Sequence, residues 1–144
     1  MTAPRVIVAG GGMVGATAAS LLARAGMVVH LVDDRGPATW DAGEPVGLRV
    51  SAFSPGSEAI LDAAGAWDSV LSGRYCRYRR MHVEDGQGQG AIDFEAARFG
   101  LSHLGTLVEN DLVSACLWTA CARESRLERH SPDRVVSLEF TEDR

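Results

Sequence analysis

The clearest pattern in the chain is a short apolar run, a cluster of glycines, an Ala/Leu-rich stretch and a second apolar run. Val6, Ile7 and Val8 are consecutive β-branched residues, and the spacing predicts a buried strand over 5–9. Gly10, Gly11 and Gly12 break it. Residues 13–25 then predict a helix, with Gly26 as its C-terminal stop. A second apolar strand is expected over 27–32, ending at Asp33. A strand, a helix and a second strand within about 30 residues make one βαβ crossover.

Beyond it the pattern changes. Gly36, Pro37, Gly43, Pro45 and Gly47 mark a loop over 35–47. A helix is expected over 57–64, with Ser54 as cap and Pro55 at its first position, and a short helix over 67–71. Alternation over 78–84, with Met81 and Val83 on one face and His82 and Glu84 on the other, predicts a strand. A Gly-rich turn over 85–90 and a returning strand over 91–94 would complete a hairpin. Leu112, Val113, Leu117 and Ala120 predict a helix over 110–123, and a last strand is expected over 135–140. The chain stops at Arg144 just past that strand, which is the first half of an open parallel sheet. The expectation is the front part of a larger enzyme.

Composition narrows the class. The chain has 144 residues, 46% hydrophobic and 23% charged, the profile of a globular domain. A net charge of −5 argues against a nucleic-acid partner. Arg77, Arg79 and Arg80, beside Tyr75 and Tyr78, either touch a phosphate or partner or form a solvated strand edge. The first apolar stretch is split by glycines and Arg24, so neither a signal peptide nor a membrane span is expected. Cys76, Cys116 and Cys121 are odd in number with no CxxC pair, which reads as reduced structural thiols in a cytoplasmic chain. His30, His82, His103 and His130 do not pair with them at metal-ligand spacing, so no metal site is expected. Glu44, Glu58 and Asp62 read as ordinary solvated acids, and no nucleophile–base pair is visible.

The chemistry lies in Gly10-x-Gly12-x-x-Gly15, placed between a strand and a helix as a dinucleotide fingerprint requires. Gly10 permits the tight turn, Gly12 lets the backbone approach a pyrophosphate, and Gly15 lets the helix lie close to the strands. The helix N-terminus, at Met13 and Val14, offers N–H groups and the positive end of its dipole. Asp33, about 20 residues further on, can accept from an adenosine ribose and would repel a 2′-phosphate. Asp34 is adjacent and expected to point to the other face. The βαβ unit alone leaves NAD and FAD open. The interruption after it, a Gly/Pro loop, the segment Leu48 to Ser54, a helix and a hairpin, is typical of flavoprotein folds.

Four further segments carry a family resemblance: Arg49-Val50-Ser51-Ala52-Phe53-Ser54-Pro55, Gly65-Ala66-Trp67, Tyr78-Arg79-Arg80-Met81 and Leu104-Gly105-Thr106-Leu107-Val108-Glu109-Asn110. With the glycine motif, they resemble the FAD-dependent ubiquinone-biosynthesis hydroxylases, a branch of the para-hydroxybenzoate hydroxylase-like aromatic monooxygenases, up to about residue 120. The fold implied is α/β, a Rossmann-like FAD-binding βαβ unit with an inserted hairpin and an incomplete doubly wound parallel sheet. Residues 1–144 would be the N-terminal part of an FAD-binding domain, with the substrate domain absent.

By this resemblance Gly10, Gly12 and Gly15 hold the FAD pyrophosphate and Asp33 the ribose. Arg49 reaches the cofactor or is a surface arginine, and Ser51 and Ser54 line the flavin approach or cap the next helix. Asn110 bonds to FAD, caps its helix, or both. Asp111 stands where the family would carry a basic residue, and the family's later Asp-Gly and Gly-Asp motifs are not in the chain. The hard chemistry belongs to the cofactor: flavin reduced by NAD(P)H, with oxygen, hydroxylates an electron-rich ring. The implied substrate is a small aromatic or polyprenyl phenol, with peripheral membrane association compatible with it. The competing readings are an NAD-linked dehydrogenase domain and a truncated, non-enzymatic nucleotide-binding fragment.

Overall fold

The computed structural model describes residues 3–88 and 90–140. Three sheets are laid out along the chain. Strands β1 (Arg5–Ala9), β2 (Val28–Val32) and β8 (Leu127–His130) form a parallel sheet in the order β1-β2-β8. In register, Ile7 faces His30 across β1 and β2, and Leu31 faces Arg129 across β2 and β8. Helix α1 (Met13–Arg24) makes the first crossover, and α4 (Asn110–Arg123) leads into β8.

Both helices cover the same face of this sheet. Val29 and Leu31 are wholly buried there, against Ala16, Ala19 and Ala23 of α1 and Val113, Leu117 and Cys121 of α4. Small residues on α1 let the two helices approach closely. Each fully buried Val or Leu contributes about 1.5–3 kcal/mol. Burial pushes the Cys121 thiol up to about 11 and raises that of Cys116, which disfavours the reactive thiolate at both, whereas Cys76 is exposed.

The long connection between β2 and α4 builds the other two sheets. Strand β7 (Gly105–Glu109) is flanked by β3 (Val50–Phe53) and β4 (Tyr75–Tyr78), both antiparallel to it. Strands β5 (Arg80–Glu84) and β6 (Ala91–Glu95) form the expected hairpin, and Gln89 of its turn lies outside the described residues. Between β3 and β4 lie α2 (Pro55–Ala63) and α3 (Trp67–Leu71). Ser54 caps α2, its hydroxyl accepting from the Ser57 N–H at 3.3 Å, with Pro55 at the first helical position.

Two expectations are corrected, and one alternative left open by the sequence is decided. The last strand is not at 135–140, which carries no regular element, but at β8; Val136, Leu138 and Phe140 are exposed. The sheet selects Leu127-Glu128-Arg129-His130, which pairs with Val29 to Val32 of β2 and packs Leu127 against the core. Glu58 is not a solvated acid. It is buried and accepts from Thr106 Oγ1 at 2.7 Å, with His103 Nε2 2.9 and 3.0 Å from its two oxygens, which ties α2 to β7. The arginine run is a strand edge: Arg80 pairs with Glu95, Arg79 donates to the Ser102 carbonyl, and Arg77 lies over the Tyr75 ring.

Candidate dinucleotide site

The turn out of β1 is closed by Gly10. Its φ of +99° is one that side-chain-bearing residues rarely adopt, and its N–H donates to the Val32 carbonyl at 2.8 Å. Gly12 is the N-cap of α1 and makes no side-chain cap bond, so the first-turn N–H groups are left for something else to satisfy. A Cβ on Gly12 would meet nothing within 4 Å, whereas one on Gly15 would collide with the Gly10 carbonyl oxygen. The first glycine makes the turn, the second opens it, and the third brings the helix against it.

This opening is one wall of a cleft of about 360 Å³. Gly11, Gly12 and Met13 line it from the glycine turn, and Asp33, Arg35, Gly36, Pro37 and Ala38 from the end of β2. Arg49, Asn110, Asp111 and Ser114 close the third side. Asp33 Oδ2 accepts from the Gly11 N–H at 2.7 Å, while Oδ1 accepts from Arg35 N at 2.9 Å and Gly36 N at 2.7 Å. Partial burial works to raise its pKa, but these three N–H donors and the Arg35 charge outweigh it, and the carboxyl is held below its ordinary value. Asp33 is therefore a clamp that joins the glycine turn to the next loop.

A second clamp holds the other end of that loop. Buried Glu109 accepts from Gly47 N at 2.8 Å, Trp40 Nε1 at 3.0 Å and Arg74 Nε and Nη2 at 3.0 and 3.1 Å. The Gly47 N–H, then Trp40 and Arg74, pull its pKa down to about 2. Arg74 also lies over the Trp40 ring at 5.4 Å, so indole, guanidinium and carboxylate form one unit. Glu109, not Asn110, is the N-cap residue of α4, and it makes no side-chain cap bond, its carboxylate being committed to the loop.

Of the ten residues named from sequence, the cleft gathers Gly12, Met13, Asp33, Arg49 and Asn110. Gly10 and Gly15 shape the turn without lining the cleft. Ser51 acts behind it, its hydroxyl donating to Asn110 Oδ1 at 2.7 Å. Val14 is 85% exposed, and Asp34 turns out to pair with Arg35 at 3.4 Å. Gly11, Arg35, Ala38 and Ser114 were not anticipated. The signal for Arg35 and Ala38 is that they lie two and five residues after Asp33, in the loop that leaves β2. Ser114 sits one turn from Asn110, on the same face of α4.

One expectation about histidines also changes. His30 and His130, 100 residues apart, are brought to 3.0 Å between Nδ1 and Nε2, beside Glu128. Sequence spacing does not reveal a pair assembled across two strands.

A glycine turn between a strand and a helix, a carboxylate at the end of the second strand and a parallel βαβ sheet define a dinucleotide-binding domain. More narrowly, the chain belongs to the FAD binding domain family, whose model matches residues 4–139. It is 31% identical over 138 residues to the 3-demethoxyubiquinol 3-hydroxylase of Escherichia coli, covering 96% of this chain and 35% of that protein. It is 37% identical over 120 residues to the human mitochondrial ubiquinone biosynthesis monooxygenase COQ6, covering 78% and 25%. The chain thus spans about a third or less of the curated relatives it matches. Among solved structures, PqsL, a probable FAD-dependent monooxygenase from Pseudomonas aeruginosa, superposes with a TM-score of 0.71 at 19% identity, over 98% of this chain and 36% of that one. The p-nitrophenol 4-monooxygenase PnpA of Pseudomonas putida gives 0.60 at 21% identity, over 88% and 30%. These two likenesses establish the fold.

Proposed function

We propose that this chain is the FAD-binding portion of a flavin-dependent aromatic ring hydroxylase, of ubiquinone biosynthesis or a related aromatic pathway. The observation that carries this reading is the Gly12 position. Its missing Cβ leaves open the mouth of a cleft at a helix N-terminus, and that is where a pyrophosphate needs backbone N–H groups without side-chain interference. The relatives named as ubiquinone-biosynthesis hydroxylases supply the choice of pathway.

The residues fit the cofactor in kind. Gly12 and Met13 would present their N–H groups to the pyrophosphate, and Arg49, whose guanidinium has no hydrogen-bond partner among the described residues, would counter its charge. Arg35 adds a second positive charge on the far wall, while Asp111 opposes a phosphate set too deep toward α4. Asp33 keeps lone-pair capacity on Oδ2 for a ribose hydroxyl, and its negative charge disfavours a 2′-phosphate. Ser51 holds Asn110 oriented toward the cleft. When bound, FAD supplies two-electron redox chemistry and reaction with oxygen. This chain's part is to bind it, orient it and fix the loop over 35–47 through Asp33 and Glu109.

The implied substrate is a small aromatic or polyprenyl phenol, with NAD(P)H as reductant. No helix among the described residues is long and apolar enough to cross a membrane. The test is reconstitution: purified chain is incubated with FAD, desalted and read for retained flavin absorbance, with NAD retention measured in parallel. Stoichiometric flavin is expected. Retention of NAD with no flavin would replace this reading with an NAD-linked one.

A further inference from the structure

Among the described residues, α1 and α4 cover one face of the parallel sheet. Alternation along β2 and β8 sends Val29, Leu31 and Leu127 toward α1 and α4, and places His30, Glu128 and His130 together on the opposite face. There His30 Nδ1 lies 3.0 Å from His130 Nε2 and 3.5 Å from Glu128 Oε2, and His130 Nε2 lies 3.9 Å from Glu128 Oε1. The two rings stack at 5.3 Å between centroids. We propose that His30, Glu128 and His130 form a binding site for a divalent transition metal ion, Zn²⁺ in particular, on the face of the sheet opposite α1 and α4.

The distances carry the argument. Ligand atoms about 2.0–2.1 Å from a tetrahedral Zn²⁺ lie about 3.3 Å from one another; the 3.0 Å between the imidazole nitrogens and the 3.5 Å from His30 to Glu128 Oε2 bracket that value, and His130 lies 3.9 Å from the other oxygen, Oε1. Two imidazoles and one carboxylate are a donor set typical of zinc, with a coordination position left for water. The positions are fixed by backbone pairing: His30 faces Glu128 in register, and His130 follows Glu128 by two, on the same side of β8. His30 and His130 are each one-third exposed, so an ion can reach them from solvent. The FAD cleft takes no part, so the proposal stands apart from the functional reading above. A metal here would staple β8 to β2 across 100 residues of chain.

The test uses the whole chain at about pH 7.5, where imidazole is free to ligate. Zn²⁺ is titrated against a chromogenic competitor, and Co²⁺ is added as a spectroscopic probe. One saturable equivalent is expected, with a Co²⁺ visible spectrum of low-symmetry N/O coordination and a rise in melting temperature with added Zn²⁺. His30→Ala and His130→Ala should each weaken binding more than about tenfold and Glu128→Gln less, while His82→Ala changes nothing. His82 is the control because its carboxylate contacts, Asp93 and Glu84, lie on opposite ring nitrogens and do not converge. A second readout needs no variant: Zn²⁺ should protect His30 and His130 from diethyl pyrocarbonate, as mapped by peptide mass spectrometry, and leave His82 reactive. Absence of saturable binding below about 1 mM, equal reactivity of all three histidines with and without Zn²⁺, or loss of binding in His82→Ala would each overturn the proposal.

Discussion

The indole N–H of Trp118 on α4 donates to the carbonyl oxygen of Gly11 at 2.7 Å, joining the glycine turn to a helix 107 residues later. The same ring leaves no room for a side chain at Gly11, where a Cβ would stand 2.5 Å from its Cζ2. The turn is thus held from both sides, by Trp118 on the carbonyl and by Asp33 on the N–H of the same residue. Trp118→Phe deletes the donor and part of the ring that packs on Gly11, leaving a buried carbonyl unsatisfied at a cost of about 1–3 kcal/mol besides the lost packing. A lower melting temperature and an FAD affinity reduced roughly tenfold are expected, read by thermal unfolding and flavin fluorescence titration. Unchanged flavin affinity would mean that the turn holds its shape without this bond.

Asp33→Ala removes three charge-assisted bonds from the cleft wall together with the proposed ribose contact. The ribose contact alone, a charge-assisted hydrogen bond, is worth about 1.5–3 kcal/mol, so ADP affinity should fall roughly ten- to a hundredfold. Calorimetric titration of ADP into wild type and variant checks it. Asp33→Asn separates the two roles, since it preserves an acceptor but not the charge.

Much of this architecture was legible in the sequence because its signals are local. Three glycines between an apolar strand and an Ala/Leu helix specify the βαβ unit, and Ser54-Pro55 specifies a helix start, with no distant partner needed. What escaped depends on partners far away in sequence. Glu58 looks like a surface acid until Thr106 and His103 fold over it. Strand β8 is polar at three of its four positions and is selected by pairing with β2, while the more apolar segment at 135–138 is passed over. Strands β3, β4 and β7 escaped for the same reason. Each is four or five residues long; β3 and β4 gain their identity by pairing with β7, and β7 by pairing with both.

The 144-residue chain assayed alone should show no hydroxylase activity. It spans 35% of the Escherichia coli relative's length, and its cleft is lined from three sides, with nothing among the described residues to enclose an aromatic ring. FAD-supplemented protein with NADH or NADPH, a prenylated phenol and oxygen is the assay. Substrate-dependent hydroxylated product at above about 1 per second would show that a complete site exists within this chain.

Glu109 makes stability depend on acid. Its folded pKa of about 2 lies below the ordinary 4.5, because the ionised form accepts from Gly47, Trp40 and Arg74. A depressed carboxyl contributes stability that is fully present above its unfolded pKa and is lost as pH falls through the folded one. The contribution should therefore fade between about pH 4.5 and 2. Melting temperature measured across that window should fall less steeply in Glu109→Gln than in wild type, with the variant already less stable at neutral pH. Parallel curves would assign the acid sensitivity to other carboxylates.

Gly12 and Gly15 separate binding from folding, although both belong to the same motif. Gly12 has φ −64°, an ordinary value for any residue, and its Cβ direction is open. Gly12→Val should leave far-UV circular dichroism and melting temperature close to wild type while abolishing flavin retention, because the new methyls stand where a pyrophosphate must approach. Gly15 lies inside α1, and a Cβ there drives into the Gly10 carbonyl, so Gly15→Ala must push the helix off the turn. Overpacking of that kind costs about 1–3 kcal/mol, and the variant should melt lower even without ligand. The pair is informative because the outcomes are opposite: one variant folded and unable to hold flavin, the other destabilised before flavin is added. If Gly12→Val retains stoichiometric FAD, the phosphates do not sit over the N-terminus of α1, and the cleft assignment fails with them.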